Sequence, residues 1–361
     1  MPTTDRRASL VAMEAGGTAS DAAIDGQGAT TRPRRRIRRR RILVAVVAIV
    51  AILGLGAYLG AGYLAYDKLS TVVPHCDDAS YKDQTPADFS ITGAAVTPDV
   101  SAYHFSDYTD VSFPTRGGGL TIRAWYAPPR DPGGPVVIVV HGYDACRRAW
   151  NVLLPAGMLH AAGFGVLMPD LRNHGESDID DGRWAGGAKE YLDVLGAWDW
   201  LVGQGVPSSH IGLFGASLGA ATVTIATGEE PRIAATWADS SYADFETAAT
   251  EYAESKGYPG WVAGPAVPIG HLLGDTALGT KDPIEEIGRL AGRPFFIVHG
   301  LDDTTILPHN AIELAQAASR AGTPIEPWLV PGAEHTQEML HVTDRYAARL
   351  VQFFSGAIGS L

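Results

Sequence analysis

Gly215-Ala216-Ser217-Leu218-Gly219 fits the pattern G-x-S-x-G, in which a serine hydroxyl can serve as a nucleophile. In a chain with 42 glycines among 361 residues, composition alone yields one such match at odds of roughly one in four, so the pentapeptide is weak by itself. Its setting is stronger. The match follows the apolar run Ile211 to Phe214 and precedes the apolar stretch Ala220 to Thr227, a strand, a sharp turn and a helix. Gly215, Gly219 and Ala220 are small where strand and helix must pass close to the serine backbone. A serine hydroxyl needs a general base, and the base needs an orienting carboxylate. On this arrangement they follow in the order Ser, acid, His at the ends of later strands. Phe295 to Val298 leads into Asp302 and Asp303, and Glu326 to Val330 leads into His335. Of the adjacent aspartates, whose side chains point apart, Asp303 is preferred as the acid and Asp302 is left to capping or solvent. Eleven histidines are present; His335 follows the last strand at a glycine turn, whereas His341 falls within the next helix, so His335 is preferred as the base. An oxyanion needs two aimed N–H groups. Leu218, after the nucleophile, and Tyr143, in the His141-Gly142-Tyr143 loop, are the candidate backbone donors, with His141 itself read as a packed, hydrogen-bonded residue.

These residues must be held by alternating strands and helices. Tyr103 to Phe113 and Leu120 to Ala127 read as an antiparallel pair joined through Gly117, Gly118 and Gly119. Pro135 to Val140 is a continuous β-branched run, as in a strand buried on both faces. A helix over Arg148 to Ala162, a strand over Phe164 to Met168 and a helix over Ala188 to Val202 follow; in the last, Tyr191, Val194, Leu195, Trp198 and Leu201 form one apolar stripe. Ile233 to Trp237 is a further strand, and helices are expected over Asn310 to Ala321 and Glu338 to Phe354. Repeated βα units imply a mostly parallel sheet with helices on both faces. The alternation breaks between about 240 and 293, a stretch rich in Pro, Gly and aromatics that is too long for an ordinary loop. It reads either as a lid over one end of the sheet or as a structural excursion.

Overall, 46% hydrophobic and 19% charged residues exclude a disordered chain. The net charge of −12 is unevenly spread. Residues 1–41 hold ten arginines, eight of them between Arg32 and Arg41, against four acidic residues, and read as a disordered basic tail. Ile42 to Tyr66 then runs 25 residues without a charge, Pro, Asn or Gln, about 37 Å as a helix and enough to cross a membrane. A cleaved signal is the competing reading, weakened by the length of the run and its poor cleavage site. The arginines keep the N-terminus cytoplasmic and against lipid headgroups, and everything after Asp67 is exported. This setting excludes the nuclear and nucleic-acid readings of the basic run. Asp67 to Val100 reads as a linker and 101–361 as the catalytic domain. Cys76 and Cys146 both lie on the exported side, where a disulfide is permitted, but their spacing leaves the pairing open. No metal or cofactor is expected.

Taken together, residues 136–150, 168–178, 211–223, 237–245, 294–303 and 330–335 (VVIVVHGYDACRRAW, MPDLRNHGESD, IGLFGASLGAATV, WADSSYADF, PFFIVHGLDD and VPGAEH) resemble the α/β-hydrolase superfamily, in its branch of dienelactone hydrolases, prolyl oligopeptidases and membrane-anchored esterases. The resemblance implies the α/β-hydrolase fold, Ser217, Asp303 and His335 as a triad, and Tyr143 and Leu218 at the oxyanion. Asn173 stands where the family's D-x-R-G-H-G turn has Gly, and asparagine tolerates that backbone conformation. The expected activity is cleavage of small-molecule or lipid-like acyl esters through an acyl-enzyme, outside the cytoplasmic membrane. A peptidase, an acyltransferase on the same triad and a non-catalytic scaffold are the alternatives. The acidic exported part disfavours polyanionic substrates.

Overall fold

The computed structural model describes residues 33–72, 76, 82–274 and 277–359; the expected disorder of residues 1–32 lies outside them. The chain forms two compact units, Met1–Gly54 and Leu55–Leu361. Helix α1 (Pro33–Ser70) belongs to both. In the first unit its side chains from Arg35 on are exposed, and the helix is long and apolar enough to cross a membrane. The arginines to Arg41, expected as part of an unstructured tail, are helical: arginine is a good helix former and no breaker separates it from the apolar run. The helix also passes the expected end at Tyr66 and reaches Ser70.

In the second unit, Gly62, Tyr66 and Ser70 are buried at intervals of four, the stripe of a helix resting on a surface. The described residues of the rest of the expected linker have little regular structure, yet Phe89 and Val100 are buried in the main core. The strands and helices then follow in order: β1 (Thr109–Pro114), β2 (Thr121–Ala127), β3 (Val136–Val140), α2 (Trp150–Ala161), β4 (Gly165–Pro169), α3 (Tyr191–Gly203), β5 (Ile211–Ala216), α4 (Leu218–Glu229) and β6 (Ala235–Asp239). After a helical insertion come β7 (Phe295–Gly300), then a helix over His309–Arg320, and β8 (Trp328–Val330). The insertion contains α5 (Phe245–Ser255), α6 (Ala266–Leu272) and α7 (Pro283–Glu286), which makes the His309–Arg320 helix α8. Two helices close the chain, α9 (Glu338–His341) and α10 (Thr343–Ile358).

One eight-stranded sheet has the order β1-β2-β4-β3-β5-β6-β7-β8, in which β2 runs antiparallel to both its neighbours, β1 and β4, and every other neighbouring pair is parallel. This is the α/β-hydrolase fold. Gly117, Gly118 and Gly119, all at positive φ, turn β1 into β2. Every residue of β3, β4 and β5 is buried, since helices cover both faces. On one face α2 and α10 enclose the larger core, where Trp237 stacks on Phe296 at 4.0 Å between ring centres. On the other, α3 inserts Val194, Leu195, Trp198 and Leu201. Burying each such side chain stabilises by about 1.5–3 kcal/mol.

Several expected bounds shift, α3 beginning at Tyr191 rather than Ala188 and β8 at Trp328 rather than Glu326 among them. Tyr103 lies in a 3₁₀ turn and β1 begins only at Thr109. β6 starts two residues later than Ile233, because its register is fixed by pairing with β5 and β7. The single helix expected from Glu338 breaks at Val342 (φ −135°, ψ 47°), which lets α9 stay below His335 while Tyr346, Leu350, Phe354 and Ile358 of α10 face the sheet.

Candidate active site

Ser217 sits between β5 and α4 at φ 57°, ψ −121°, a conformation a non-glycine residue holds only when its surroundings impose it. Its N–H donates to Asp239 O at 2.8 Å, tying the turn to the end of β6. A side chain at Gly215 would overlap the Gly219 backbone, and one at Gly219 would overlap Val140 and His141. The glycine spacing is therefore a requirement of close approach. Leu218 opens α4, whose first N–H groups have no acceptor within the helix.

The structure brings the three residues singled out in the sequence together. Ser217 Oγ lies 2.8 Å from His335 Nε2, and His335 Nδ1 lies 2.7 Å from Asp303 Oδ2. An ionised carboxylate only accepts, so Nδ1 carries the ring proton and Nε2 is free to accept from the serine hydroxyl. Asp303 is buried at the end of β7. Burial pushes its carboxyl up, but hydrogen bonds from His299 and His335 outweigh burial and hold it well below the usual carboxylate range. Backbone N–H groups of Thr305 and Ile306 also donate to its Oδ1, at 2.8 and 2.9 Å. Asp302 is exposed, and His341 ends α9.

His299 gave no separate signal in the sequence. It is fully buried, with Nε2 at 2.8 Å from Ile306 O and 3.2 Å from Asp303 Oδ2, the same carboxylate oxygen that His335 meets, and so helps hold that carboxylate in place.

Gly142 brings its loop against Ser217, with room for only a tight contact between a Cβ there and the Ser217 side chain at 3.2 Å. This puts the Tyr143 backbone next to the nucleophile. His141 is buried and bonded as expected: its Nε2 accepts from Leu171 N–H at 2.9 Å, so its Nδ1–H donates to Gly142 O at 2.7 Å. Burial lowers its pKa to about 4, which keeps it neutral. Cys76 and Cys146 form a disulfide, Cα to Cα 5.7 Å, that ties the chain after α1 to this same loop. Asn173 has φ 65°, the left-handed conformation expected of it.

Beneath the nucleophile lies a buried polar floor that the sequence did not reveal. Ser240 Oγ is 3.0 Å from Asp239 Oδ1 and 2.8 Å from Glu338 Oε1, and it accepts from Thr336 N–H at 3.2 Å. Tyr346 donates to Asp239 Oδ2 at 2.5 Å and stands 3.0 Å from the Trp237 indole N–H that donates to it. Burial pushes Glu338 well above its ordinary range, and the Asp239 charge adds to this. Burial also raises Asp239, with the hydrogen bonds from Tyr346 and Glu338 opposing it. Burial and the neighbouring Asp239 thus both favour the neutral form of Glu338, and Ser240 Oγ bridges the two acids.

A cavity of about 430 Å³ opens at Ser217 and His335. Phe245, Ala248 and Tyr252 of α5 line it, as do Tyr143, Trp184 and, from α1, Lys68 and Leu69. No group of residues suited to hold a metal occurs among the described residues.

The prolyl oligopeptidase family, peptidase S9, matches residues 150–360. A 31.7 kDa Escherichia coli protein from the traX-finO intergenic region, described as uncharacterized, is 32% identical over 139 residues, which are 38% of this chain and 46% of that protein. The chain thus spans about half the length of the curated relatives it matches first. Esterase YjfP of E. coli K12 is 23% identical over 56% of this chain and 81% of its own. Among solved structures, an esterase of Pyrococcus furiosus superposes with a TM-score of 0.58 at 23% identity, covering 74% of this chain and 97% of its own, a likeness of fold. With the family match extending over more than half of its length, from the first turn of α2 through α10, the chain belongs to the prolyl oligopeptidase family of α/β hydrolases.

Proposed function

We propose that this chain is a membrane-anchored serine hydrolase that cleaves carboxylic esters outside the cytoplasmic membrane. The observation that carries the reading is the hydrogen-bonded chain from Ser217 through His335 to Asp303 at the base of a largely apolar cavity. Ser217 Oγ attacks the ester carbonyl as its proton passes to His335 Nε2. The Tyr143 and Leu218 backbone N–H groups receive the oxyanion. His335 then protonates the departing alkoxide, giving an alcohol and an acyl-serine. Water, deprotonated by the same nitrogen, attacks the acyl group and releases the acid and the free serine. Asp303, kept ionised, stabilises the imidazolium at each stage. In this reading residues 42–66 are the anchor, with the basic run cytoplasmic, and the helices between 240 and 293 are a lid over the cavity. The ester preference is supported by the apolar α5 wall and by the likeness to a named esterase.

Membership of a peptidase family favours a second reading, hydrolysis of aminoacyl or prolyl amides by the same residues. Fluorophosphonate labelling of the full chain is expected, with loss of label in Ser217→Ala; an unlabelled, well-folded wild-type protein defeats both readings. Turnover of p-nitrophenyl esters against aminoacyl nitroanilides then separates them.

A further inference from the structure

We propose that the substrate is a bilayer-resident acyl ester, taken from the outer membrane surface through a mouth that α1 and the insertion hold at headgroup level. This deepens, and rests on, the hydrolase and anchor readings above. Leu64 is the last strongly exposed apolar residue of α1, at 67%. With the anchor ending two residues later, at Tyr66, Leu69 stands three residues beyond it, about 4.5 Å at 1.5 Å per residue, within a headgroup layer of roughly 5–8 Å. Leu69 and Lys68 line the cavity that contains Ser217. The lining of the catalytic cavity therefore reaches the level of the lipid surface.

The insertion meets α1 at that level too. A Cβ on Gly62 would stand 2.7 Å from Pro265 and 3.0 Å from Ile269, and one on Gly270 would stand 2.9 Å from the Tyr66 ring, so α6 lies directly across the last turns of α1. The same segment leaves Trp261 61%, Leu272 76% and Leu273 55% exposed. Water gives such side chains no partner, whereas the interface of a bilayer does, and Trp is enriched there. The docking is firm: Arg183 pairs with Asp67 at 2.9 Å, Trp184 donates to Leu69 O at 2.5 Å, and the Tyr143 hydroxyl donates to Thr71 O at 2.5 Å. The loop that offers the oxyanion donor is thus fastened to the end of the anchor helix. A water-soluble ester has no need of this arrangement. A lipid ester can move from bilayer to cavity with its acyl chain against apolar surface throughout.

The full chain in phosphatidylcholine liposomes carrying p-nitrophenyl palmitate, compared with soluble p-nitrophenyl acetate, tests the proposal. In the variant Leu272→Ser with Leu273→Ser, kcat/KM for the liposomal ester is expected to fall about tenfold or more while that for the acetate stays within about twofold. Brominated phosphatidylcholine is expected to quench tryptophan emission more in the wild type than in Trp261→Phe. An unchanged rate on the liposomal ester, an equal fall on both esters, or equal quenching overturns the proposal. Fluorophosphonate labelling of both proteins runs alongside. Label at Ser217 with one of those outcomes refutes membrane delivery alone, and a folded wild type that takes no label refutes the hydrolase reading with it.

Discussion

The floor beneath Ser217 and the insertion above it are built from opposite materials. The floor is polar and sealed: Asp239, Ser240, Glu338 and Tyr346 are all buried and bond mainly to one another and to the backbones that carry Ser217 and His335. The insertion is apolar toward the cavity and partly open to its surroundings, with Tyr252, Tyr258 and Trp261 exposed. A buried polar network has few good geometries, because displacement strands buried donors and acceptors. Apolar contacts tolerate displacement. The floor is suited to hold reacting atoms in place, and the insertion to choose what reaches them. Floor and triad variants should therefore depress turnover of every substrate alike, and insertion variants should alter the ratio between substrates.

Asp303→Asn breaks the polar side most deeply. The amide can still accept from Thr305 and Ile306 N–H, but turned that way it presents NH₂ to His335 Nδ1 and forces the ring proton onto Nε2, facing Ser217. A fall in kcat of about 10³–10⁴-fold is expected on short and long esters equally, with little change in KM, measured by steady-state kinetics. A fall confined to one acyl length breaks the division between the two regions.

Next in size is the disulfide. Cys76 and Cys146 are 70 residues apart, so the bridge removes much chain entropy from the unfolded state. Replacing both by Ser is expected to cost about 2–4 kcal/mol in denaturant unfolding. Because Cys146 lies four residues past Gly142, fluorophosphonate labelling should also slow.

Glu338 tests the floor itself. Glu338→Leu deprives the buried Ser240 hydroxyl of its partner and is expected to cost about 2–3 kcal/mol, whereas Glu338→Gln, which keeps a polar group there, should cost under about 1 kcal/mol. The pH dependence has a definite sign. The folded pKa is raised, so the stability contributed by the neutral carboxyl is complete below the unfolded value and is lost as pH rises through the folded one. Unfolding curves between pH 5 and 9 should therefore fall more steeply for wild type than for Glu338→Gln. A variant as pH-sensitive as the wild type shows that Glu338 is already ionised.

The same contrast decides what was legible in the sequence. The turn at Ser217 has a local signature because its glycines are demanded by contacts within a few residues, and β7 and β8 announce the places of Asp303 and His335 by ending beside them. The pairing of Ser240 with Glu338 crosses 98 residues and has no local pattern; it exists only because β6 ends beside α9. The same holds for His299, an ordinary strand histidine until the fold places Asp303 against it. Burial of Phe89 and Val100 was hidden because isolated apolar residues in an irregular segment carry no period.

The smallest expected effect belongs to the insertion and is the most selective. Tyr252 lines the cavity from α5 yet is 37% exposed, so its ring closes the wall without supporting the core. Truncation in Tyr252→Ala removes apolar surface that only a long acyl chain reaches. The ratio of kcat/KM for octanoate over acetate p-nitrophenyl esters should change by roughly three- to tenfold, with the acetate value held and the melting midpoint moved by no more than about 2 °C. The direction of the change carries the information. A fall in the ratio means that the ring contacts the acyl chain, and a rise means that it blocks the far end of the cavity. A proportionate loss on both esters would place Tyr252 with the floor, as part of the apparatus that fixes Ser217, and would erase the division of labour between the two regions.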